Sequence, residues 1–494
     1  MRPWHSFAFF ILIATPTFSQ IVSSYQLQEQ HDRGGLVGNG ITDLLWSDFN
    51  QILYVGTGFG LSTTENGGER WINFTTAEYG GKGGISAMAV ADDGTLWTAT
   101  AYDTLVEEGQ RLSIGGGLRY IYPDSSTWHF ISQPVDSKDD TTNGKQPTTT
   151  RVQNLTFDIA ILDTQIWIAS FGGGIRRSLD RGKTWEVITT DGKPFGAFAN
   201  LNHRGFSLLS ENGNIWTGTA DGISKSTDGG NTWQRFTHTN QVNPISGNFV
   251  IALAHNPYDG AVWAATIKAE DPAEVTAVSK TLNGGLSWNI HLEEELSDGS
   301  FVRYFAFRDS AVYVATENGM YKTIDNGQTW FTLPVIRDSN SGESLMTDDF
   351  LSVAVSPATE PYHRAWLGSS DGLAMSVDNG FSWTIFRSFI STQVRPEPRV
   401  YPSPNPFSPA RMDAVKFRFD ISEVSSTKID IYNFAMEKVI SIGPYEMTPS
   451  NGTNDRFIPW DGLDSNRRMV DNGVYFFRAQ IGGEVTWGKI VVIN

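Results

Sequence analysis

The octapeptide SLDRGKTW at residues 178–185 returns as STDGGNTW at 226–233 and TIDNGQTW at 323–330. Aligned on the final tryptophan, related segments end at Trp71, Trp128, Trp185, Trp233, Trp288, Trp330 and Trp383. Their spacings of 57, 57, 48, 55, 42 and 53 residues suit one four-stranded unit per repeat. Seven copies predict seven blades.

The rest of each unit supports this reading. Ahead of each tryptophan lies a short aromatic-led run: YVGT at 54, WTAT at 97, WIAS at 167, WTGT at 216, WAAT at 263, YVAT at 313 and WLGS at 366. Apolar strands such as ISAMAV from Ile85, FVIALAH from Phe249 and FLSVAV from Phe350 come before them. Period-2 alternation with small residues predicts strands in a crowded interior, the first of each unit innermost. The octapeptide falls on the turn from the third strand to the fourth. There a short Asp side chain accepts backbone N–H bonds, Gly supplies positive φ and a hydroxyl closes a further local bond. The tryptophan buries its ring between neighbouring sheets. Nothing in this set needs a substrate, so the repeated segment is a structural fastener.

These residues resemble the Asp box of sialidase-type β-propellers. Asp180, Asp228, Asp325 and Asp378, with Trp185, Trp233, Trp330 and Trp383, sit in full matches. Asn283 replaces Asp in the copy ending at Trp288, Asn66 does so in the first copy, and the second, IYPDSSTW, is identified by spacing alone. The resemblance covers roughly residues 41–390 and implies a turn lying away from any active site.

After the proline-rich stretch 396–411 the composition changes. The landmarks YPSPNPF, IDIYN, WDGLD, NGVYFFR and KIVVIN, in order across 400–494, resemble the FlgD immunoglobulin-like fold and the related sorting domain of type IX secretion substrates. The resemblance implies recognition by that secretion machinery and display at the bacterial surface. One departure is Arg467, where the family has Gly after Asn. The expected architecture is therefore all-β: a signal peptide at 1–19, a seven-bladed β-propeller at 20–395, the linker at 396–411 and a small Ig-like β-sandwich at 412–494.

Composition agrees. The opening MRPWHSFAFFILIATPTFSQ has a basic start, an apolar run too short to span a bilayer, and small residues before Gln20, as a secretory leader does. The chain has no cysteine, so disulfides and thiolate metal sites are excluded. A net charge of −17 argues against a nucleic-acid or anionic-membrane surface. No later segment is apolar enough to cross a membrane as a helix, and a monomer is expected.

Loop lengths place the working face. The turns from first to second strand and from third to fourth are short, whereas insertions collect on the opposite face, where a ligand is expected. Candidates there are Tyr102, Phe195, Phe198 and His203 for stacking, the cations Arg151, Arg204 and Arg303, and carboxylates including Asp103 and Asp349. Paired carboxylates would suit glycoside hydrolysis, but solvated loop charge is the simpler reading. DSKDDTTNG from Asp136 carries oxygen ligands of the kind Ca2+ favours, without EF-hand spacing or a closing Glu. The eight histidines show no zinc-binding pair, so no catalytic zinc is expected, and no cofactor other than that Ca2+.

Three functions fit. The first is a secreted or surface-displayed binding propeller with a polysaccharide or protein ligand. The second is a glycoside hydrolase of sialidase or xyloglucanase type, although the sialidase arginine motif and six-bladed count are missing and the xyloglucanase type resembles two propellers. The third is an extracytoplasmic assembly factor. The segment YQLQEQ from Tyr25 is a candidate closing strand for the ring. Deleting residues 20–30 should then markedly lower the melting temperature, and an unchanged thermal melt would count against it.

Overall fold

A computed structural model describes residues 35–493 apart from 77, 79–81, 106–110, 124, 359–362, 389–399, 420, 422–423 and 449–456. The candidate leader and the Tyr25 segment lie outside the described residues. Seven four-stranded antiparallel sheets follow one another along the chain, each built from four consecutive strands. Their innermost strands are Ile41–Ser47, Gly84–Val90, Thr156–Leu162, Gly205–Glu211, Phe249–His255, Val302–Arg308 and Phe350–Val355. Each inner strand packs against the next, and the seventh packs against the first, so the sheets close into a β-propeller. We number the blades one to seven in chain order.

The aromatic-led runs are the second strands, and their periodicity follows from packing. Their leading rings, Tyr54, Trp97, Trp167, Trp216, Trp263, Tyr313 and Trp366, are all buried. Each shares a core with the turn tryptophan of the following blade: Trp167 with Trp233, Trp263 with Trp330, and, across the seam, Trp366 with Trp71. The Trp167–Trp233 and Trp263–Trp330 pairs meet edge to face, with centroids 6.1 and 6.2 Å apart. The third residue of each run is Gly or Ala because the next blade presses on it. A Cβ at Gly218 would lie 2.2 Å from Ser207 Oγ and 2.7 Å from Val250 Cγ1. The fourth residue is Thr or Ser, and in blades one, four, six and seven its hydroxyl donates to the carbonyl three residues on, at Gly60, Gly222, Gly319 and Gly372.

The octapeptides form one hydrogen-bond pattern. Ser178 Oγ donates to Asp180 Oδ1 (2.9 Å) and accepts from the Gly182 amide (2.7 Å). Asp180 then accepts from the Thr184 amide (2.8 Å) and hydroxyl (2.6 Å), while Trp185 Nε1 donates to the Gly182 carbonyl (3.0 Å). The same bonds recur around Asp228 and Asp378. Asp325 repeats them apart from the indole bond. At Asn283 one bond reverses, its amide donating to Ser287 Oγ. Asn66 accepts only the Thr64 hydroxyl and the Arg70 amide.

C-terminal to the propeller, Val400–Ser403, Val415–Phe419 and Phe457–Trp460 form a three-stranded sheet. A four-stranded sheet comprises Ser425–Tyr432, Lys438–Met447, Gly473–Ile481 and Glu484–Val492. They enclose a core of Phe407, Phe417, Ile431, Trp460 and Phe477 in a β-sandwich, which takes in part of the proline-rich stretch. Arg467 stands at φ 63°, the left-handed region that favours glycine. Among the described residues, no helix is long and apolar enough to cross a membrane.

Trp216 fixes blade four against Phe236 and Trp288 and is fully buried. Trp216→Ala is expected to cost about 3–5 kcal/mol, as large buried truncations do, measured by urea unfolding. A loss under about 1 kcal/mol would mean that the cavity collapses.

Candidate functional site

Every inner strand carries a β-bulge near its start, one extra residue before the pairing resumes. The extra residues are Thr42, Ser86, Phe157, Phe206, Ile251, Arg303 and Leu351. All seven line a central cavity of about 790 Å³. Because a bulged residue has no cross-strand partner, it is free to turn toward the axis. The up-and-down strand order puts these starts on the face that carries the long loops.

One sector of this mouth is aromatic. Phe206 packs against Phe157, Phe171 and Phe249 with centroid separations of 5.4, 6.1 and 4.7 Å. Arg204 lies over Phe171 at 5.2 Å, held by the carbonyls of Ala197 and Phe198. Phe157 is 39% exposed and Phe198 71% exposed. This is apolar surface of the kind that binds ligands.

One residue beyond each bulge lies a second ring, where Asp43, Ala87, Asp158, Ser207, Ala252, Tyr304 and Ser352 occupy equivalent positions. Asp158 Oδ2 accepts from the Leu208 amide of the next blade at 2.8 Å, and Oδ1 from the Ile159 amide at 2.8 Å. An innermost strand is a sheet edge with unpaired amides, and this carboxyl covers one. Burial pushes the Asp158 carboxyl up to about 7, and the charge of Asp43 adds to the effect. Burial likewise raises Asp43 to about 7, against the pull of the Leu44 and Met88 amides and the Tyr304 phenol. The Asp43 charge, burial and Asp158 together hold the Tyr304 phenol well above its ordinary value. Two acids of near-neutral pKa and a phenol therefore share the channel.

The residues singled out from sequence are distributed differently. Phe195 and His203 are buried and stack on each other, with centroids 5.7 Å apart, inside their own loop. His203 Nδ1 accepts from the Gly196 amide, so Nε2 carries the proton and donates to Asp191 at 3.0 Å. They hold the loop together and present no stacking surface to a ligand. Tyr102 and Asp103 lie on a long hairpin of blade two, where Asp103 accepts from Ser113 at 2.8 Å. Arg151 is exposed beside that hairpin. Arg303 lies at the mouth, bonded to Asp349 (3.1 Å) and Glu317 (2.8 Å). Of the candidates, Arg303 lines the channel with Asp349 bonded to it, and Arg204 stacks on Phe171 while donating to the Phe198 carbonyl. The segment from Asp136 does not gather oxygen atoms for Ca2+: Asp136 is clamped by both Arg176 terminal nitrogens at 3.0 Å and by Lys145, which also pairs with Asp140. Among the described residues, no group of three or more His, Asp or Glu could hold a metal ion.

The mouth phenylalanines and the Asp43–Asp158–Tyr304 cluster escaped the sequence reading. The available signal was an Asp interrupting an otherwise apolar inner strand, in ITDLLWS and TFDIAIL.

No family model matches the chain, and no characterised protein matches it in a sequence search. Among solved structures it is similar to the GH74 xyloglucanase from Xanthomonas campestris, at 14% identity over 79% of this chain and 59% of that one, with a TM-score of 0.50. A second is PorZ, described as an essential surface component of the type-IX secretion system of Porphyromonas gingivalis, at 15% identity, 92% and 60% coverage and a TM-score of 0.43. A third is YCF48 from Cyanidioschyzon merolae, at 12% identity, 72% and 98% coverage and a TM-score of 0.45. The chain thus spans about three fifths of the xyloglucanase and PorZ chains. At these identities the likeness is one of fold, the β-propeller.

The channel acids give stability an unusual pH dependence. An unfolded Asp titrates near 3.9, so between about pH 4 and 7 the folded state keeps protons that the unfolded state has released, and stability falls as pH rises. The turn carboxylates Asp180, Asp228 and Asp325 have the opposite sign. Held at about 2 by threonine hydroxyls and amides, their contribution is complete above about pH 4 and lost toward pH 2. Asp43→Asn should therefore narrow the stability difference between about pH 5 and pH 8 in urea unfolding. An unchanged difference would mean that this carboxyl stays solvated.

Proposed function

We propose that this protein is a binding propeller, exported and displayed at a bacterial surface through its C-terminal domain, whose ligand seats over the channel mouth on the loop-rich face. The observation that carries the reading is the aromatic sector of Phe157, Phe171, Phe206 and Phe249, with Arg204 stacked at its edge. Aromatic and arginine side chains are those that dominate binding hot spots. Catalysis has less support, because the loop carboxylates Asp103 and Asp349 are engaged by Ser113 and Arg303. The export step rests on the landmark residues of the C-terminal domain, which resemble those of type IX sorting domains. The ligand class is a surface polysaccharide or protein, and a role in assembling an envelope complex would use the same face.

The test combines a glycan array with capture from a cell envelope, followed by product analysis of any hit. Phe157→Ala and Arg204→Ala should each weaken binding by about tenfold or more, the loss expected of a hot spot, with an unchanged circular dichroism spectrum. Turnover of a bound glycan, or binding indifferent to both substitutions, would overturn the reading.

A further inference from the structure

We propose that the central channel is a receptor for an organic cation: an ammonium or guanidinium group on an apolar stem, presented by the ligand that seats on the mouth. The inference rests on the mouth being the docking face, and it adds the chemistry of what enters.

The starting point is Asp43, 6% exposed and lining the cavity: the Leu44 and Met88 amides and the Tyr304 phenol act on its carboxyl, yet its Oδ1 is left without a hydrogen-bond partner. A buried acceptor left unmade is costly and calls for a donor. Ser86 Oγ, which also lines the cavity, is unpartnered too. Asp158 adds a second carboxyl from blade three. Carboxylates are not required at this ring for the fold, since Ala87, Ser207, Ala252 and Ser352 hold equivalent positions in blades of the same topology.

The sign of the ligand follows from the charges around the channel. Among the described residues, the titratable or charged groups of the lining are Asp43 from blade one, Asp158 from blade three, His255 from blade five, and Arg303 and Tyr304 from blade six, with none from blades two, four and seven. Arg303 is already neutralised by Asp349 and Glu317. A guest therefore meets two carboxyls and no free cation. Four of the seven bulged residues toward the mouth, Phe157, Phe206, Ile251 and Leu351, give it apolar walls. A lysine-like side chain matches both parts, its methylenes against those walls and its charged head at the carboxyls. Because burial holds the two acids near neutral pKa, a cation arriving beside them favours the ionised forms and releases protons.

The test titrates the full protein with n-hexylammonium chloride, with n-hexanol as the uncharged match, by isothermal calorimetry. Saturable one-to-one binding is expected for the ammonium, at least about tenfold tighter than for hexanol, and tighter at about pH 8 than at about pH 6, with proton release seen in buffers of different ionisation heat. Asp43→Asn and Asp158→Asn should each weaken it by about tenfold. A second arm compares a pentapeptide carrying a central lysine with its norleucine counterpart: preference for the lysine peptide over hexylammonium assigns the cation to a protein partner, and the reverse assigns it to a free amine. Equal affinity for hexanol, or no saturable binding of the ammonium, would overturn the proposal without recourse to variants. If hexylammonium fails while the Phe157→Ala effect persists, only this inference falls; if hexylammonium binds and Phe157→Ala is silent, only the docking face falls.

Discussion

The propeller depends on one repeated contact, a tryptophan at the end of each octapeptide turn inserted beside the leading aromatic ring of the preceding blade. All seven turn tryptophans share a core with that ring, and the core holding Trp71 and Trp366 joins the first blade to the last. A sheet with its innermost edge on the axis cannot pair there, so the blades must be held together by apolar faces. With no cysteine available, stability rests on these faces and on the turns that aim the indoles. The hydrogen-bonded Asp, Gly and hydroxyl of each turn spend their bonding capacity internally, which is why the most conspicuous polar residues of the chain have no part in the candidate site.

The proposed site lies where the repeat is broken. The blades obey one pattern, but the seven bulges each turn one side chain toward the axis, and the ring beyond them varies from alanine to tyrosine. Apolar walls at the mouth and carboxyls deeper in divide the channel into a region that supplies contact area and one that supplies charge. The low-dielectric setting that makes the first favourable also perturbs the acids of the second.

The fold was legible because tryptophan spacing, small residues and turn chemistry each have a single economical explanation in a blade. Even blade two, whose IYPDSSTW lacks the turn pattern, could be placed by the position of Trp128. The site was much less legible. Strict alternation along an inner strand assigns faces wrongly after a bulge, so Phe157 and Phe206 read as ordinary strand residues, and Asp43 and Asp158 look like any other aspartate until their burial is known. Phe195 and His203 illustrate the opposite error. A Phe and a His in a long loop resemble ligand-stacking groups, yet they form the internal pillar that lets the loop keep a fixed shape.

A bulged residue answers to no cross-strand neighbour, and this frees the mouth from the demands of the frame. On the second strand, opposite the residue after the bulge, size is limited by the adjoining blade, as the tight space at Gly218 illustrates; at the bulge itself, threonine, serine, phenylalanine, isoleucine, arginine and leucine are all accommodated within one architecture. The seven positions thus form a combinatorial collar, mounted on a scaffold that does not register which residue is chosen. The proposed recognition surface is therefore one whose side chains change from blade to blade while the strand pairing stays the same.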